Sequence, residues 1–399
     1  MECVSFSLVK NDLGSIFEIR AKNEMKYTFF TSLLFSIALI PNLFSQEVDA
    51  NNLIPKVIQD KGQQFLKNKN ITSVSIGVFK DGQYYTGHFG ELEKGKGNLP
   101  NDETIYEVGS VTKTITGYLV AKAVLDQKLK LEDDVRMYLI GNYPNLEYYG
   151  KPITIQHLLT HTSGLPMFLP KEMGEVFQNL NESVPSTYQA LEESYDKAMF
   201  LKDLNQVSIT EEPGMTYSYS NTGAELMGHI LETVYNKSVD VLLKELFTEE
   251  YNMLDTGIKL NPEQQERLVR GYWMKNETRS PNQLNPLWAT GGGMRMTLID
   301  LMQYIELQLD NNNPVVTESH RVLYKDDRTL RVSYFWRVWK DKYGTSFNHH
   351  GGTTGTQNWL FIFPKYGMGI SIITNQSGPK TPNLLSKTVQ KMLKELVKA

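Results

Sequence analysis

Strand-like segments stand at both ends of this chain and helical ones fill its middle, and that order limits the fold more than any single motif does. Near the start, 72–79 reads as a strand, Asp81-Gly82 is a turn signal and 83–89 returns, which predicts a hairpin. Strands come back only late, at 330–338, 359–363 and Met368–Thr374, before a helical period over 383–397 closes the chain. In between, helical patterns dominate. Asn221–Tyr235 is the clearest, with Leu226, Ile230 and Val234 four apart. Strands so distant in sequence share a sheet only if the two ends of the chain meet. The expected class is therefore α+β: a sheet domain built from 46–140 and 286–399, and a mostly helical domain inserted over 141–285.

The first 45 residues read as a pre-sequence and signal peptide. Met25-Lys26-Tyr27 opens a basic start, 29–44 is apolar, and Ser45-Gln46 offers a cut near a small residue, so Met25 is the expected start. The apolar run is short for a membrane span, and none is expected after cleavage; an uncleaved anchor is the alternative. The single cysteine, Cys3, lies upstream of the cut, so disulfides, thiolate metal sites and a cysteine nucleophile are excluded from the mature chain. Export to a bacterial periplasm fits this pattern. A net charge of -4 supplies no basic footprint for nucleic acid.

Chemistry begins at Ser110-Val111-Thr112-Lys113. Residues three apart share a helix face, and 111–126 has the apolar spacing of an amphipathic helix, so the Ser110 hydroxyl and Lys113 amine can meet. A serine needs a neighbouring base, and a lysine serves only if burial or positive neighbours bring its pKa towards neutrality. Ser110 also stands at the helix N-terminus, where backbone N–H groups favour negative charge. The four-residue spacing alone is common: Ser7/Lys10, Ser194/Lys197 and Ser377/Lys380 share it. A second element is Tyr219-Ser220-Asn221, whose phenol is a candidate base and whose amide can meet a substrate carbonyl or Lys113. Tyr143-Pro144-Asn145 has the same spacing. The third is His350-Gly351-Gly352-Thr353, where glycines let backbone approach a ligand and His350 can touch a carboxylate.

Taken together and in this order, these boxes resemble the serine β-lactamase and penicillin-binding protein superfamily. The closer likeness is to its class C β-lactamase branch, with the related D-alanyl-D-alanine carboxypeptidases and esterases. ITIQHLLTHTSGLP over 153–166, Pro213-Gly214 and Gly291-Gly292-Gly293-Met294 support it, and the likeness runs over about 60–395. It implies a β-lactamase/transpeptidase-like fold with a five-stranded-type antiparallel sheet with flanking helices, and an active site between that sheet and the helical domain. It also implies Ser110 as nucleophile, Lys113 and Tyr219 sharing the base role, and the N–H groups of Ser110 and Thr353 as an oxyanion hole. Asn221, His350, Gly352 and Thr353 would then bind substrate. Where the family usually has Lys-Thr-Gly, this chain has His350-Gly351-Gly352, closer to the branch's peptidases and esterases and poorer in fixed positive charge.

The expected function is a β-lactamase-related serine hydrolase acting through acyl-Ser110 on β-lactams, D-amino-acid peptides or small esters, without cofactor. The alternatives are a penicillin-binding or sensor protein that is acylated and slow to turn over, and a structural relative without turnover. His157 and His161 have zinc-like spacing but lack the Glu of a His-Glu-x-x-His helix, so no metal is expected. His349 is expected to be a bystander.

Overall fold

The computed structural model describes residues 50–275 and 277–398. The predicted signal segment and Cys3 lie outside the described residues. Glu47–Ala399 forms one compact unit.

The hairpin forms as predicted. Strands β1 (Ser73–Lys80) and β2 (Gln83–Gly90) pair antiparallel around Asp81 and Gly82. Both turn residues have positive φ, 53° and 77°, the two-residue geometry that matches strand twist. Late in the chain, β3 (Arg337–Asp341), β4 (Gly344–Gly352), β5 (Gln357–Phe363) and β6 (Met368–Thr374) zigzag antiparallel. The two ends join where β1 pairs β6, with Ile76 opposite Ile372. The spatial order is β2-β1-β6-β5-β4-β3, and the two-residue strands Arg331–Val332 and Tyr324–Lys325 bring the sheet to eight. The five-stranded sheet implied by resemblance is thus extended at its late edge.

The predicted strand over 330–338 is broken. Ser333 N–H donates to Trp336 O at 3.0 Å and Phe335 takes φ 64°, a turn that buries Trp336 and restarts the chain as β3.

Helices α1 (Ala50–Leu66) and α5 (Thr381–Leu396) cover the outer face, packing Ile54, Ile58 and Val389 against Trp359 and Phe361. The inner face carries α2 (Thr112–Leu125) and α4 (Leu298–Leu309), and α3 (Asn221–Tyr235) packs on α2. Helix α2 corrects the amphipathic reading: Thr112 through Ala121 are all buried, polar residues included. It is enclosed because α3, the short helix Pro314–Ser319, Tyr304 of α4 and the 290–294 segment all close on it. The helix over 154–162 is shorter than predicted, Ile155–Leu159, because His161 already turns left-handed at φ 57°. No helix of the described residues is long and apolar enough to cross a membrane.

Candidate active site

A 3-10 turn, Gly109–Val111, delivers Ser110 to the N-terminus of α2, half-buried at the foot of a cavity of about 380 Å³. Gly109 is required there. Its φ is +52°, and a Cβ on it would lie 2.5 Å from the Gly352 nitrogen. One turn on, Lys113 is fully buried, its Nζ 3.1 Å from Ser110 Oγ. The same Nζ donates to Asn221 Oδ1 at 2.7 Å and to the Gly291 carbonyl. A neutral amine has two N–H donors and one lone pair. With both donors taken by these carbonyl oxygens, the lone pair is left for the serine hydroxyl. Burial lowers Lys113 to about 7, opposed by Glu225 and helped by Arg337.

Tyr219 is held from behind by the 153–166 phrase. Ser218 N–H donates to His161 O and Gly214 N–H to Thr162 O, both at 2.7 Å, and Ser220 Oγ donates to Pro166 O at 2.7 Å. His161 Nδ1 accepts the Ser220 N–H at 3.2 Å, and its ring lies 4.3 Å from that of Tyr219. The Tyr219 phenol interacts with Ser110, and Lys113 Nζ sits 5.0 Å from its ring centre. Burial pushes the phenol up to about 12, against the pull of Ser110 and Arg337. Ser220, not Asn221, caps α3, accepting the Gly223 N–H at 2.8 Å and leaving the Asn221 amide for Lys113. Asn145, of the competing Tyr-Pro-Asn, instead donates to Leu204 O and Val207 O.

The Gly-rich box is shifted in phase from its sequence reading. Thr353 N–H donates to Thr356 O at 2.9 Å, and its Oγ1 accepts the Thr356 N–H at 3.1 Å and donates to Glu107 at 3.2 Å. Thr353 is therefore spent on closing the β4–β5 hairpin. N–H groups alternate sides along a strand, so the one aimed at Ser110 belongs to Gly352, whose nitrogen packs against Gly109. Side chains alternate too. His350 packs on Trp359 in the outer layer, with Nε2 2.6 Å from Gln357 Oε1. His349, read as a bystander, faces inward, its ring centre 6.4 Å from that of Tyr219. It is fully buried, and burial with Arg337 and Lys113 nearby holds it well below the usual histidine range.

The chain has also put a cation where the box lacks one. Arg337, opening β3, lies half-buried in the cavity with its guanidinium 5.9 Å from the Tyr219 ring centre. No carboxylate among the described residues pairs with it. No local sequence signal marks Arg337, whereas strand alternation from the hairpin turn marks His349. Opposite, Phe168, Phe177, Tyr188 and Trp288 form an aromatic wall.

His157 and His161 do not act as a pair: Nδ1 of His157 accepts the Thr154 N–H at 3.1 Å, and His161 serves Tyr219. Among the described residues no His, Cys, Asp and Glu group is arranged for a metal ion. Elsewhere, Ser75, His88 and Asp102 form a chain of 2.8 Å contacts, but Ser75 is fully buried inside the sheet, out of reach of a substrate.

A serine at a helix N-terminus, backed by a buried lysine and tyrosine between an antiparallel sheet and helices, is the arrangement of a serine hydrolase. The chain belongs to the Beta-lactamase family, whose model matches residues 58–390. It is 27% identical over 327 residues to a Beta-lactamase of Providencia stuartii, covering 79% of this chain and 78% of that one. It is 25% identical over 345 residues to Protein flp of Staphylococcus aureus (strain N315), covering 84% of this chain but only 65% of that relative's length. Among solved structures, a Beta-lactamase/D-alanine Carboxypeptidase from Yersinia pestis superposes with TM-score 0.73 at 21% identity, covering 86% of this chain and 99% of that one. A class C beta-lactamase does so with TM-score 0.72 at 20% identity, covering 87% and 96%. At these identities the superpositions speak for the fold.

Proposed function

We propose that this protein hydrolyses carboxylate-bearing β-lactam or D-amino-acid peptide substrates through an acyl-Ser110 intermediate. The observation that carries the reading is the buried Lys113 Nζ, 3.1 Å from Ser110 Oγ with both N–H donors engaged elsewhere. Lys113 takes the serine proton as Oγ bonds to the substrate carbonyl carbon. The Ser110 and Gly352 N–H groups stabilise the developing oxyanion. Tyr219, a neutral phenol, relays a proton to the departing nitrogen as the C–N bond breaks, and water later cleaves the acyl ester. Asn221 orients Lys113 and the substrate amide. His350, held by Gln357, stays at the rim.

Arg337 narrows the substrate class. Its planar guanidinium supplies the anion-binding role that a neutral histidine in the box lacks. β-Lactams and C-terminal D-amino acids carry a carboxylate beside the scissile bond; simple esters do not. We further place the mature protein outside the cytoplasm, on the pattern of 25–46; the N-terminus of the cell-derived protein tests that placement.

The experiment is intact-mass spectrometry of the protein over time with benzylpenicillin, with peptide mapping of any adduct. An adduct on Ser110 that forms and decays supports the reading, and one that persists makes the protein a penicillin-binding one. No adduct with benzylpenicillin, D-alanyl peptides or p-nitrophenyl esters overturns the acyl-serine reading. Arg337→Met should raise KM for the carboxylate-bearing substrates about tenfold or more while sparing neutral esters; equal loss on both classes would remove the anion role.

A further inference from the structure

On the Glu225 side of Lys113 lies a second cavity of about 600 Å³, which shares Glu192 and Asn285 with the cleft. Five carboxylates stand in its lining, Glu192, Glu193, Asp196, Glu225 and Glu232, together with Lys197 and His229. Glu225 is the most buried of these carboxylates, only 3% exposed. It stands four residues after Asn221 on α3, so the two share a face, one turn apart. Asn221 takes one Lys113 N–H. Glu225 Oε2 accepts the Thr290 hydroxyl at 3.1 Å, and the next residue, Gly291, gives its carbonyl to Lys113. Lys113 and Glu225 thus flank one short strap of backbone. Outward from Glu225, Oε1 is 3.8 Å from His229 Nε2, and His229 Nδ1 is 3.8 Å from Glu232 Oε2. Glu232 in turn pairs with the exposed Lys197 at 2.7 Å. The series follows one face of α3 from the lysine to the cavity.

We propose that Glu225 is a positioning residue that governs the proton occupancy of Lys113 from behind, exchanging its own proton with solvent through this second cavity. The inference rests on Lys113 being the base that activates Ser110. An ionised carboxylate behind the amine favours ammonium, and a protonated one leaves the lone pair free. Burial raises Glu225 to about 8, with Glu232 adding to the rise and Thr290 and Lys197 opposing it. Lys113 also faces Arg337, which lowers it, and neighbours the phenol of Tyr219 and the neutral imidazole of His161. The two groups therefore titrate over one range and oppose each other: each Glu225 that ionises holds a proton on Lys113.

The test is the pH dependence of Ser110 acylation, followed by adduct mass with benzylpenicillin or by a p-nitrophenyl ester burst, whichever acylates the wild type. Glu225→Gln keeps an acceptor for Thr290 and removes the charge. The midpoint of its acid limb should move down, with labelling up to ~tenfold faster over the range where the wild-type Glu225 is ionised and unchanged at the foot, where that carboxyl is protonated, and the limb should steepen to a single ionisation. Lys197→Met, at the exposed mouth, leaves the interior intact and should move the limb the same way by a smaller step, about threefold. If Glu225→Gln does not fold, Lys197→Met decides alone. Limbs that superimpose on the wild type, or labelling reduced equally at every pH, overturn the proposal while leaving Lys113 as the base. A wild type acylated with no acid limb near neutrality overturns the Lys113 reading itself.

Discussion

Lys113 makes folding stability report on catalysis. Burial lowers its pKa from 10.5 to about 7, so between those values the unfolded chain holds a proton that the native protein has lost. Where the unfolded state binds more protons, stability rises with pH, by about 1.4 kcal/mol per unit for a single group. For this folded value, the rise between pH 7 and pH 9 sums to about 2 kcal/mol, since half the native lysines are still charged at the lower limit. Lys113→Met removes the group at similar length. It also strands Asn221 Oδ1 and the Gly291 carbonyl, but that penalty does not depend on pH. Urea unfolding of both proteins at pH 6, 7, 8 and 9 isolates the effect. The difference, wild type minus variant, should be nearly constant below pH 6 and climb by about 2 kcal/mol from 7 to 9. Repeating the pair in a Glu225→Gln background removes the nearest other titrating carboxyl. A difference that stays flat to within about 0.5 kcal/mol would mean that Lys113 remains an ammonium throughout, and its role as base would fall.

Tyr219→Phe removes the relay without disturbing its cradle and should slow turnover about a hundredfold or more, measured by adduct decay and product release together. His349→Ala should cut acylation at least tenfold, while His350→Ala, at a site held by Gln357 on the outer layer, should change it less than about threefold; steady-state kinetics on one substrate compares them. Gly109→Ala forces a left-handed conformation on a Cβ-bearing residue and drives that Cβ into Gly352, so it should lose about 2 kcal/mol or more of stability in thermal unfolding and acylate more slowly.

The elements legible in the sequence are those whose geometry is local. The α3 period and the β6 run lie at Asn221–Tyr235 and Met368–Thr374 as read, and Asp81-Gly82 makes its turn, because each depends on a few neighbouring residues. Ser110, Lys113, Tyr219 and Asn221 come together for a related reason: helical spacing joins the first pair, and the Tyr box abuts the start of a strongly periodic helix. What escaped needs tertiary information. Two adjacent histidines face opposite ways, and which faces in depends on Thr353 pairing Thr356. Helix α2 looked amphipathic because Lys113 and the threonines count as polar, yet they are buried and bonded inward, as Thr116 is to Thr290 O. Arg337 comes from a strand whose start is set by the preceding turn, and Glu225 looks like any helical glutamate until α2 and the 290–291 strap close over it.

These displaced residues share one electrostatic logic. Burial lowers Lys113 to about 7, holds His161 and His349 well below the usual histidine range, and lowers His350 to about 4. A histidine in the Gly-rich box is therefore uncharged at pH 7 in either phase, and cannot replace a lysine as an anion anchor. A guanidinium resists the same environment, being always charged and weakly hydrated. Moving the anchor from β4 to Arg337 on β3 separates two functions that a lysine in the box would couple. On the proposed reading, Arg337 anchors the substrate without a titrating histidine, while activation of Ser110 follows the proton on Lys113. Below neutrality, acylation should fail through kcat at unchanged affinity for a carboxylate substrate, whereas a titrating anchor would move both together.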